Sequence, residues 1–310
     1  MIALINKYAA ITFIDQLNKE VTDAWSLVRE AHVPIYLDTS TAQFTSFAAF
    51  IRLLEQTQRR LPASKFIALL QLSAHQFVEQ LVSDNREAPS LQQLTDAIPV
   101  ESIIAIKNVD TYSVELAMPL QNELQFLAEL YLLVTTHCYC IALNSRLTAP
   151  VRYHLQHPDA LDFEQLQISN HTPQYLGQQR SALFYKEAIY PETSATAKFD
   201  CAALSFCEQL SAVLEGYIGR EDLSIEQISE IIGINQRTIQ RRLKSEGCTF
   251  RKLKETLNFA FAKRVMVQRN ASISDVAEHL GYADTSQFIR AFKKSENITP
   301  LQWLKKAQQA

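Results

Sequence analysis

Apolar residues in the last third of the chain recur every three or four positions, in short runs that glycines interrupt. This spacing places apolar side chains on one face of a helix. The first run ends at Gly233, and glycine often follows the last turn of a helix because it adopts positive φ without strain. Ile239 and Leu243 mark the buried face of a second helix, which Asn235 is expected to cap. The pattern therefore predicts a helix, a tight turn and a second helix.

This pattern occurs twice. Aligning Gly233 with Gly281 superimposes the two copies at an offset of 48 residues, and one extra residue in the second copy then makes the offset 49. Such a repeat predicts two helix-turn-helix units in tandem, at about 224–247 and 272–296. The matched pairs include Ser224 with Ser272, Ile228 with Val276, Glu230 with Glu278, Arg241 with Arg290, and Lys244 with Lys293.

The segment between the two copies, residues 250–268, is predicted to form one connecting helix. A helix of that length is ~28 Å long at 1.5 Å per residue, and successive major grooves on one face of DNA lie ~34 Å apart. A rigid connecting helix would hold the two recognition helices in adjacent grooves, so that one monomer reads two half-sites. The stripe that indicates this helix consists of Phe250, Leu253, Leu257, Phe261 and Val265.

The residues before 190 show a mixture of helical and strand patterns, which predicts one α+β domain. Asn108-Val109-Asp110 separates two β-branched runs and predicts a hairpin. The predicted helices are 44–60, 75–83, 91–97 and a buried 120–143, and the predicted strands are 102–107, 111–118, 151–155 and 181–185.

The predicted fold class is multidomain, with an α+β N-terminal domain and an all-α C-terminal domain. The small, polar stretch 191–199 is predicted to be a linker between residues 1–190 and residues 200–310. An amphipathic helix beginning near Cys201 and Leu204 is expected to open the second domain, which contains both helix-turn-helix units and the connecting helix.

Charge is distributed unevenly between these domains. The formal net charge of the chain is −3, yet residues 232–310 contain 15 Lys and Arg against 6 Asp and Glu. A basic segment attached to an acidic body indicates an anionic partner for that segment, although a solvated basic face would have the same composition.

The predicted partner is double-stranded DNA, because cations recur at matched positions opposite the buried anchors. The anchors are Ile239 and Leu243 in the first copy, and Phe288 and Phe292 in the second. Arginine and glutamine pair with guanine and adenine in the major groove, and lysine binds phosphate. Any one arginine alone would be an ordinary surface residue. The predicted DNA-binding residues are Asn235, Gln236, Arg237, Gln240, Arg241, Lys244, Thr285, Ser286, Gln287, Arg290 and Lys293.

These motifs resemble the AraC/XylS family of bacterial transcription regulators. Asn297 stands where that family usually has glycine, and asparagine also tolerates the left-handed conformation. The resemblance rests on 228–230 (ISE), 237–243 (RTIQRRL), 246–250 (EGCTF), 273–278 (ISDVAE), 280–282 (LGY), 288–293 (FIRAFK) and Thr299-Pro300.

Residues 150–154 (PVRYH) and 180–184 (RSALF) are similar to the end of the N-terminal module in one branch of the family. That module is an arabinose-binding-like α+β domain rather than a cupin. The resemblance implies an activator more than a repressor, a small-molecule effector, RNA polymerase as a partner, and a homodimer. Two alternatives stay open: a dimerisation module that senses nothing, and a fused enzymatic or DNA-repair domain. A buried apolar cavity would favour sensing, and a solid core would favour dimerisation alone.

The sequence predicts no catalytic site, cofactor or metal, since no GxGxxG, P-loop, GxSxG or HExxH motif occurs. The uncharged run 130–145 is too short and too polar to span a bilayer. Without a secretory signal or CxxC pairs, the chain is expected to be cytoplasmic. The residues considered as metal ligands, and interpreted as core or surface residues instead, are His154 with His157 and His171, and His137 with Cys138 and Cys140.

Overall fold

The computed structural model describes residues 1–38, 40–84, 88–99, 101–117, 123–158, 172–189, 196–200, 204–219, 223–268 and 271–307. Its internal contacts divide the chain into two compact units. The N-terminal unit is formed by Ala3–Thr39 and Gln43–Ala203, and the C-terminal unit by Leu204–Ala310 together with Met1–Ile2 and Ser40–Ala42.

The first half of the N-terminal unit is mainly helical. Two short antiparallel strands each lead directly into a helix, and the side chains of Asn6 and Ser46 accept hydrogen bonds from the first turns of those helices. The elements are β1 (Leu4–Asn6), α1 (Lys7–Glu20), α2 (Ala24–Glu30), β2 (Phe44–Ser46), α3 (Phe47–Arg60), α4 (Ala63–Ser83) and α5 (Leu91–Ala97).

A six-stranded sheet completes this unit, in the order β6-β5-β7-β4-β3-β8. All neighbouring strands are antiparallel except β5 and β6. The strands are β3 (Ser102–Lys107), β4 (Tyr112–Leu116), β5 (Arg152–His154), β6 (Gln174–Tyr175), β7 (Ser181–Tyr185) and β8 (Thr196–Asp200).

Helix α6 (Gln125–Leu143) is the central helix of the unit and packs against α3, α4 and β7. Its Tyr131 ring meets Phe50 edge to face at 4.8 Å between centroids. Among the described residues, α6 alone is long and apolar enough to cross a membrane, and 72% of that stretch is buried inside the protein. The expectation from the sequence rests only on the uncharged run 130–145, which is too short to span a bilayer. The helix begins earlier, at Gln125, and is long enough, so the argument from length is wrong. Burial instead supports a core helix.

The predicted N-terminal elements are confirmed in part. The hairpin of β3 and β4 is present, and the amide of Asn108 donates to the carbonyl of Thr111 across the turn. The predicted helix 44–60 begins with a strand, and the predicted helix 75–83 is the end of the 21-residue α4. Helices α1 and α2 and strands β1 and β6 are absent from the prediction. The start of the predicted helix 120–143 and the end of the predicted strand 111–118 lie outside the described residues.

The predicted linker is wrong for residues 196–199, which form most of β8 and pair with β3 at the edge of the sheet. An edge strand needs main-chain hydrogen bonds more than an apolar pattern, so a small, polar stretch can add to the open side of β3. Residues 191–195 lie outside the described residues. The division between the two units falls after residue 203 rather than at 190.

The regular secondary structure described in the C-terminal unit is entirely helical. Its first helix begins at Phe206 rather than near Cys201, because Ser205 and Glu208 form a capping box there. The elements are α7 (Phe206–Leu214) with a 3₁₀ turn (Glu215–Tyr217), α8 (Ile225–Ile232), α9 (Gln236–Ser245), α10 (Phe250–Gln268), α11 (Ile273–His279), α12 (Thr285–Glu296) and α13 (Pro300–Ala307).

Candidate nucleic-acid interface and ligand cavity

The first helix-turn-helix unit consists of α8 and α9. Ser224 and Gln227 form a capping box at the start of α8, with hydrogen bonds of 3.0 and 3.3 Å. Gly233 ends the helix with a φ of 68°, in the left-handed region. The amide of Ile234 then donates to the carbonyl of Ser229 at 3.2 Å, which closes the turn. The end of the helix at Gly233, with positive φ, is the feature that the sequence analysis predicted.

The second unit, α11 and α12, repeats this construction. Ser272 and Asp275 form its capping box, Gly281 has a φ of 74°, and the amide of Tyr282 donates to the carbonyl of Ala277 at 3.0 Å. The turn bond lies 48 residues after its counterpart in the first unit, so the repeat is conserved in the hydrogen bonds as well as in the sequence. The second recognition helix then begins 49 residues after the first, at Thr285.

The buried anchors of the two recognition helices are confirmed. Ile239 and Leu243 of α9 are at most 1% exposed, and Phe288 and Phe292 of α12 are fully buried. The aromatic pair packs on Phe259 of the connecting helix, with centroid distances of 6.3 and 5.4 Å. Each recognition helix is therefore fixed on one face, and its opposite face is presented to solvent.

The connecting helix has the predicted bounds, Phe250–Gln268, but its predicted apolar stripe is only partly correct. Leu253 is buried, whereas Phe250, Leu257, Phe261 and Val265 are only half-buried. The other fully buried positions of this helix are Phe259, Ala262 and Met266. The helix packs against α7 and also against α11 and α13, so it buries two faces rather than one stripe.

Nine of the eleven predicted DNA-binding residues are exposed. Two of these nine, Asn235 and Gln287, accept hydrogen bonds from neighbouring backbone amides. The other seven lie on the two recognition helices and form what we call the cationic face: Arg237, Gln240, Arg241, Lys244, Ser286, Arg290 and Lys293.

The other four predicted residues hold local structure. The side chain of Asn235 accepts from the amide of Arg237, as an N-cap. Gln236 donates to Glu226 at 2.6 Å, and Thr285 donates to Ser274 at 3.3 Å. The remaining residue, Gln287, accepts at 3.1 Å from the amide of Ala283 and thereby fastens the longer second turn.

One residue of the unit plays a part that the sequence analysis did not assign. The carboxylate of Glu246, just past α9, accepts 2.8 Å hydrogen bonds from the amides of Phe206 and Cys207. These bonds lower the pKa of Glu246, because they favour its charged form. Glu246 thus ties the end of the first recognition helix to the start of α7. The capping signal at Ser205 could have located that helix start.

The last helix, α13, is also absent from the sequence prediction. It packs against α10 and α12, and its Trp303 contacts the core around Phe259. The ammonium group of Lys263 lies 5.8 Å from the Trp303 ring and 2.6 Å from the carboxylate of Glu296. Thr299 caps α13, since its hydroxyl accepts from the amide of Gln302, and this threonine was the available signal.

The N-terminal unit contains a cavity of about 540 Å³ between α4, α6 and the β5–β6 side of the sheet. Volumes of this size are typical of small-molecule sites. Of the residues considered earlier as metal ligands, His137 and Cys138 line this cavity, whereas His171 lies outside the described residues. The described residues contain no group of three His, Cys, Asp or Glu side chains placed to hold a metal ion.

Comparison with known proteins addresses the C-terminal segment. Residues 228–306 match the family model described as a helix-turn-helix domain. The chain is 28% identical over 120 residues to the virulence regulon transcriptional activator VirF of Shigella flexneri, covering 39% of this chain and 44% of VirF. This segment is therefore similar to the helix-turn-helix domains of known transcription regulators.

The chain is also 31% identical over 124 residues to the regulator RipA of Corynebacterium glutamicum, covering 38% of this chain and 37% of RipA. The chain thus spans less than half the length of VirF and of RipA. Among solved structures, the regulator CdpR of Pseudomonas aeruginosa is matched over 84% of this chain, at 18% identity and a TM-score of 0.33. The matched proteins are named as transcription regulators.

Proposed function

We propose that the protein is a sequence-specific DNA-binding transcription regulator that inserts two recognition helices into adjacent major grooves. The observation that carries this proposal is the cationic face. An arginine and a lysine of this face occupy matched positions in each of two units, which share the same turn bond and have buried anchors at the same places. Exposed arginines at corresponding positions of two helix-turn-helix units suit base edges in the major groove.

The connecting helix supports simultaneous binding by both units. Helix α10 is continuous over 19 residues, and it packs against α11 of the second unit and against α7, which contacts the first recognition helix α9. Its expected length of ~28 Å is close to the ~34 Å between successive grooves. One monomer would then read two half-sites that need not be palindromic.

The two recognition helices are proposed to contribute unequally. The first presents Arg237, Gln240 and Arg241, whereas the second presents Arg290 beside the short Ser286. Because arginine and glutamine form the most discriminating base contacts, we expect the first unit to dominate specificity. The second unit would contribute more to position on the duplex.

The N-terminal unit is proposed to bind a small effector, since a cavity of about 540 Å³ favours sensing over a solid dimerisation core. An effector that changes the affinity for DNA must, by thermodynamic linkage, bind the DNA-competent state and the other state of the protein with different affinities. We also propose that the protein forms a homodimer, contacts RNA polymerase and is located in the cytoplasm. VirF is named as an activator, which favours activation over repression.

A fragment of residues 200–310 should bind DNA without the N-terminal unit, because it contains the whole cationic face. The measurement is a selection from random duplexes with the fragment and with the full chain, followed by footprinting. We expect the same site from both, with two protected regions about one helical turn apart. Circular dichroism establishes that the fragment is folded. A folded fragment that does not bind would contradict the proposal that the C-terminal unit is sufficient.

Lys244→Ala should weaken binding evenly across DNA sequences, since Lys244 lies at the end of the cationic face and suits a phosphate. The plot of log affinity against log salt concentration has a negative slope, and we expect its magnitude to decrease by about 0.9, the value for one phosphate contact. Lys186→Ala, which removes one exposed positive charge from the N-terminal unit, is the matched control and should leave the slope unchanged. A sequence-selective loss in Lys244→Ala would indicate a base contact instead.

A further inference from the structure

The walls of the N-terminal cavity are mainly apolar. One face of α6 supplies Leu130, Leu133 and Val134, each at most 9% exposed. Leu155, at the end of β5, and Pro150, just before it, supply the opposite wall, and both are buried. A ligand there would contact mainly apolar side chains, so apolar surface on the ligand would be favoured.

Among the lining residues that the structure describes, none is Lys, Arg, Asp or Glu. The polar members are the side chains of Gln71, His75, His137, Tyr153, Thr172 and Gln174, together with the thiol of Cys138. An ionised ligand would thus leave water for a surface on which no Lys, Arg, Asp or Glu side chain pairs with its charge, which is unfavourable.

The histidine deepest in this wall does not supply a charge at neutral pH. Burial lowers the pKa of His137. Its Nδ1 lies 2.9 Å from the hydroxyl of Tyr185, and the two rings stack with an interplanar angle of 13°. Burial of Cys138 raises the pKa of its thiol to about 11, so this group is also neutral. His137 therefore offers a hydrogen bond but no positive charge to a carboxylate or phosphate.

The one acidic side chain of α6, that of Glu129, is buried and forms its hydrogen bonds within the protein. The carboxylate of Glu129 accepts from the hydroxyl of Ser181 and from the amides of Gln156 and His157. These bonds fix the chain immediately after Leu155, at the cavity wall. Glu129 thus positions the wall, and its carboxylate is already matched by three donors rather than available to a cationic ligand.

We propose that this cavity binds an uncharged, mainly apolar organic molecule with a few hydrogen-bonding groups, and that it discriminates against anions of the same shape. The proposal rests on the effector part of the proposed function and specifies its ligand class. The chemistry is that of a compact aromatic or aliphatic metabolite without carboxylate, phosphate or ammonium groups.

The test uses two fluorescent probes with the same aromatic skeleton and the full-length chain without DNA. N-phenyl-1-naphthylamine is neutral, and 8-anilinonaphthalene-1-sulfonate carries one negative charge. We expect saturable binding of one neutral probe per chain, at least tenfold tighter than binding of the sulfonate. Equal or tighter binding of the sulfonate, or no saturable binding of the neutral probe, would overturn the proposal.

A matched pair of variants locates the binding site. Ala149 is exposed and lines this cavity, whereas Ala142 is also exposed but lines only the neighbouring groove on α6, which meets the cavity at His75 and Cys138. Ala149→Trp should weaken binding of the neutral probe at least tenfold, and Ala142→Trp should change it less than twofold. Both variants should retain the melting temperature of the parent chain. The opposite order of effects would place the probe outside the cavity and overturn the proposal.

The outcome is separable from that of the DNA proposal, because the probe titration contains no DNA. Selective probe binding in a chain that does not bind DNA would support the ligand class and contradict the regulator function. DNA binding without selective probe binding would support the regulator function and contradict the ligand class. If the neutral probe binds but DNA affinity does not change, the ligand class is supported and the effector role is contradicted.

Discussion

Replacing Phe259 with alanine will lower the free energy of unfolding of the C-terminal unit by about 3–5 kcal/mol. The Phe259 side chain is 1% exposed and lies against both buried rings of the second recognition helix, Phe288 and Phe292. Alanine would remove the ring that these two aromatic side chains share and leave a cavity between α10 and α12. Because typical domains are stable by only 5–15 kcal/mol, a loss of this size is a large fraction of the total.

Urea unfolding followed by tryptophan fluorescence measures this loss. The chain has two tryptophans, and Trp303 packs against the core around Phe259. Trp25, in the N-terminal unit, is 43% exposed, so Trp25→Phe should be tolerated and leaves Trp303 as the reporter of the C-terminal unit. All variants are compared in that background.

Val267→Ala is the control for Phe259→Ala, because Val267 lies on the same helix and is 44% exposed. Its expected cost is about 0.5 kcal/mol or less, as for most surface substitutions. Similar costs for the two variants would show that α10 is not fixed by the aromatic cluster. The proposed rigid connection between the two recognition helices would then lose its structural basis.

Phe259 also shows where the sequence was insufficient. A single amphipathic stripe describes a helix that buries one face, and Phe250, Leu253, Leu257, Phe261 and Val265 fit such a stripe. The helix instead packs on α7 along one side and on α11 and α13 along another. Apolar residues around most of its circumference mix two periodicities, so the tertiary contacts decide which rings become core.

The capped turns were predictable because their signals are local. Ser224, Ser272, Gly233 and Gly281 act through hydrogen bonds and backbone conformations within a few residues of themselves. Strand β8 shows the opposite case, since residues 196–199 become a strand through the partner that they meet on the edge of β3. A sequence window contains the first kind of information and lacks the second.

The same distinction applies to the candidate site. Helical geometry correctly separated the exposed cations from the anchors, because both lie on one regular helix. It could not show that the side chains of Asn235, Gln236, Thr285 and Gln287 engage neighbouring groups. Those bonds depend on the approach of a preceding helix or turn, which the residue pattern does not specify.

Arg241→Ala is expected to weaken binding at the cognate site by about 1–3 kcal/mol, roughly 5- to 150-fold, and to relax base preference locally. Its side chain is exposed on the cationic face, opposite Ile239 and Leu243. Arg290→Ala should have an effect in the same range at the other half-site. The measurement is competition binding against duplexes that differ at single base pairs, at one fixed salt concentration. Unchanged footprints and preferences would contradict the assigned roles.

The adjacent arginine provides a structural control. The guanidinium of Arg242 lies 5.3 Å from the centroid of the Phe206 ring, and its side chain is half-buried between α9 and α7. Arg242→Ala should therefore lower stability by about 0.5–1 kcal/mol, the range for an exposed cation–π contact. Its base preference should remain that of the parent. Arg241→Ala would then change base preference, whereas Arg242→Ala would change only stability.

Arg241→Lys distinguishes a base contact from a phosphate contact at this position. Lysine keeps the positive charge but lacks the planar fork that donates two hydrogen bonds to one guanine. If Arg241 reads a base, the lysine variant should lose nearly as much discrimination as the alanine variant and keep the salt dependence of the parent chain. If Arg241 binds only phosphate, lysine should restore both affinity and preference. The lysine variant therefore tests whether the first recognition helix reads sequence at the centre of its cationic face.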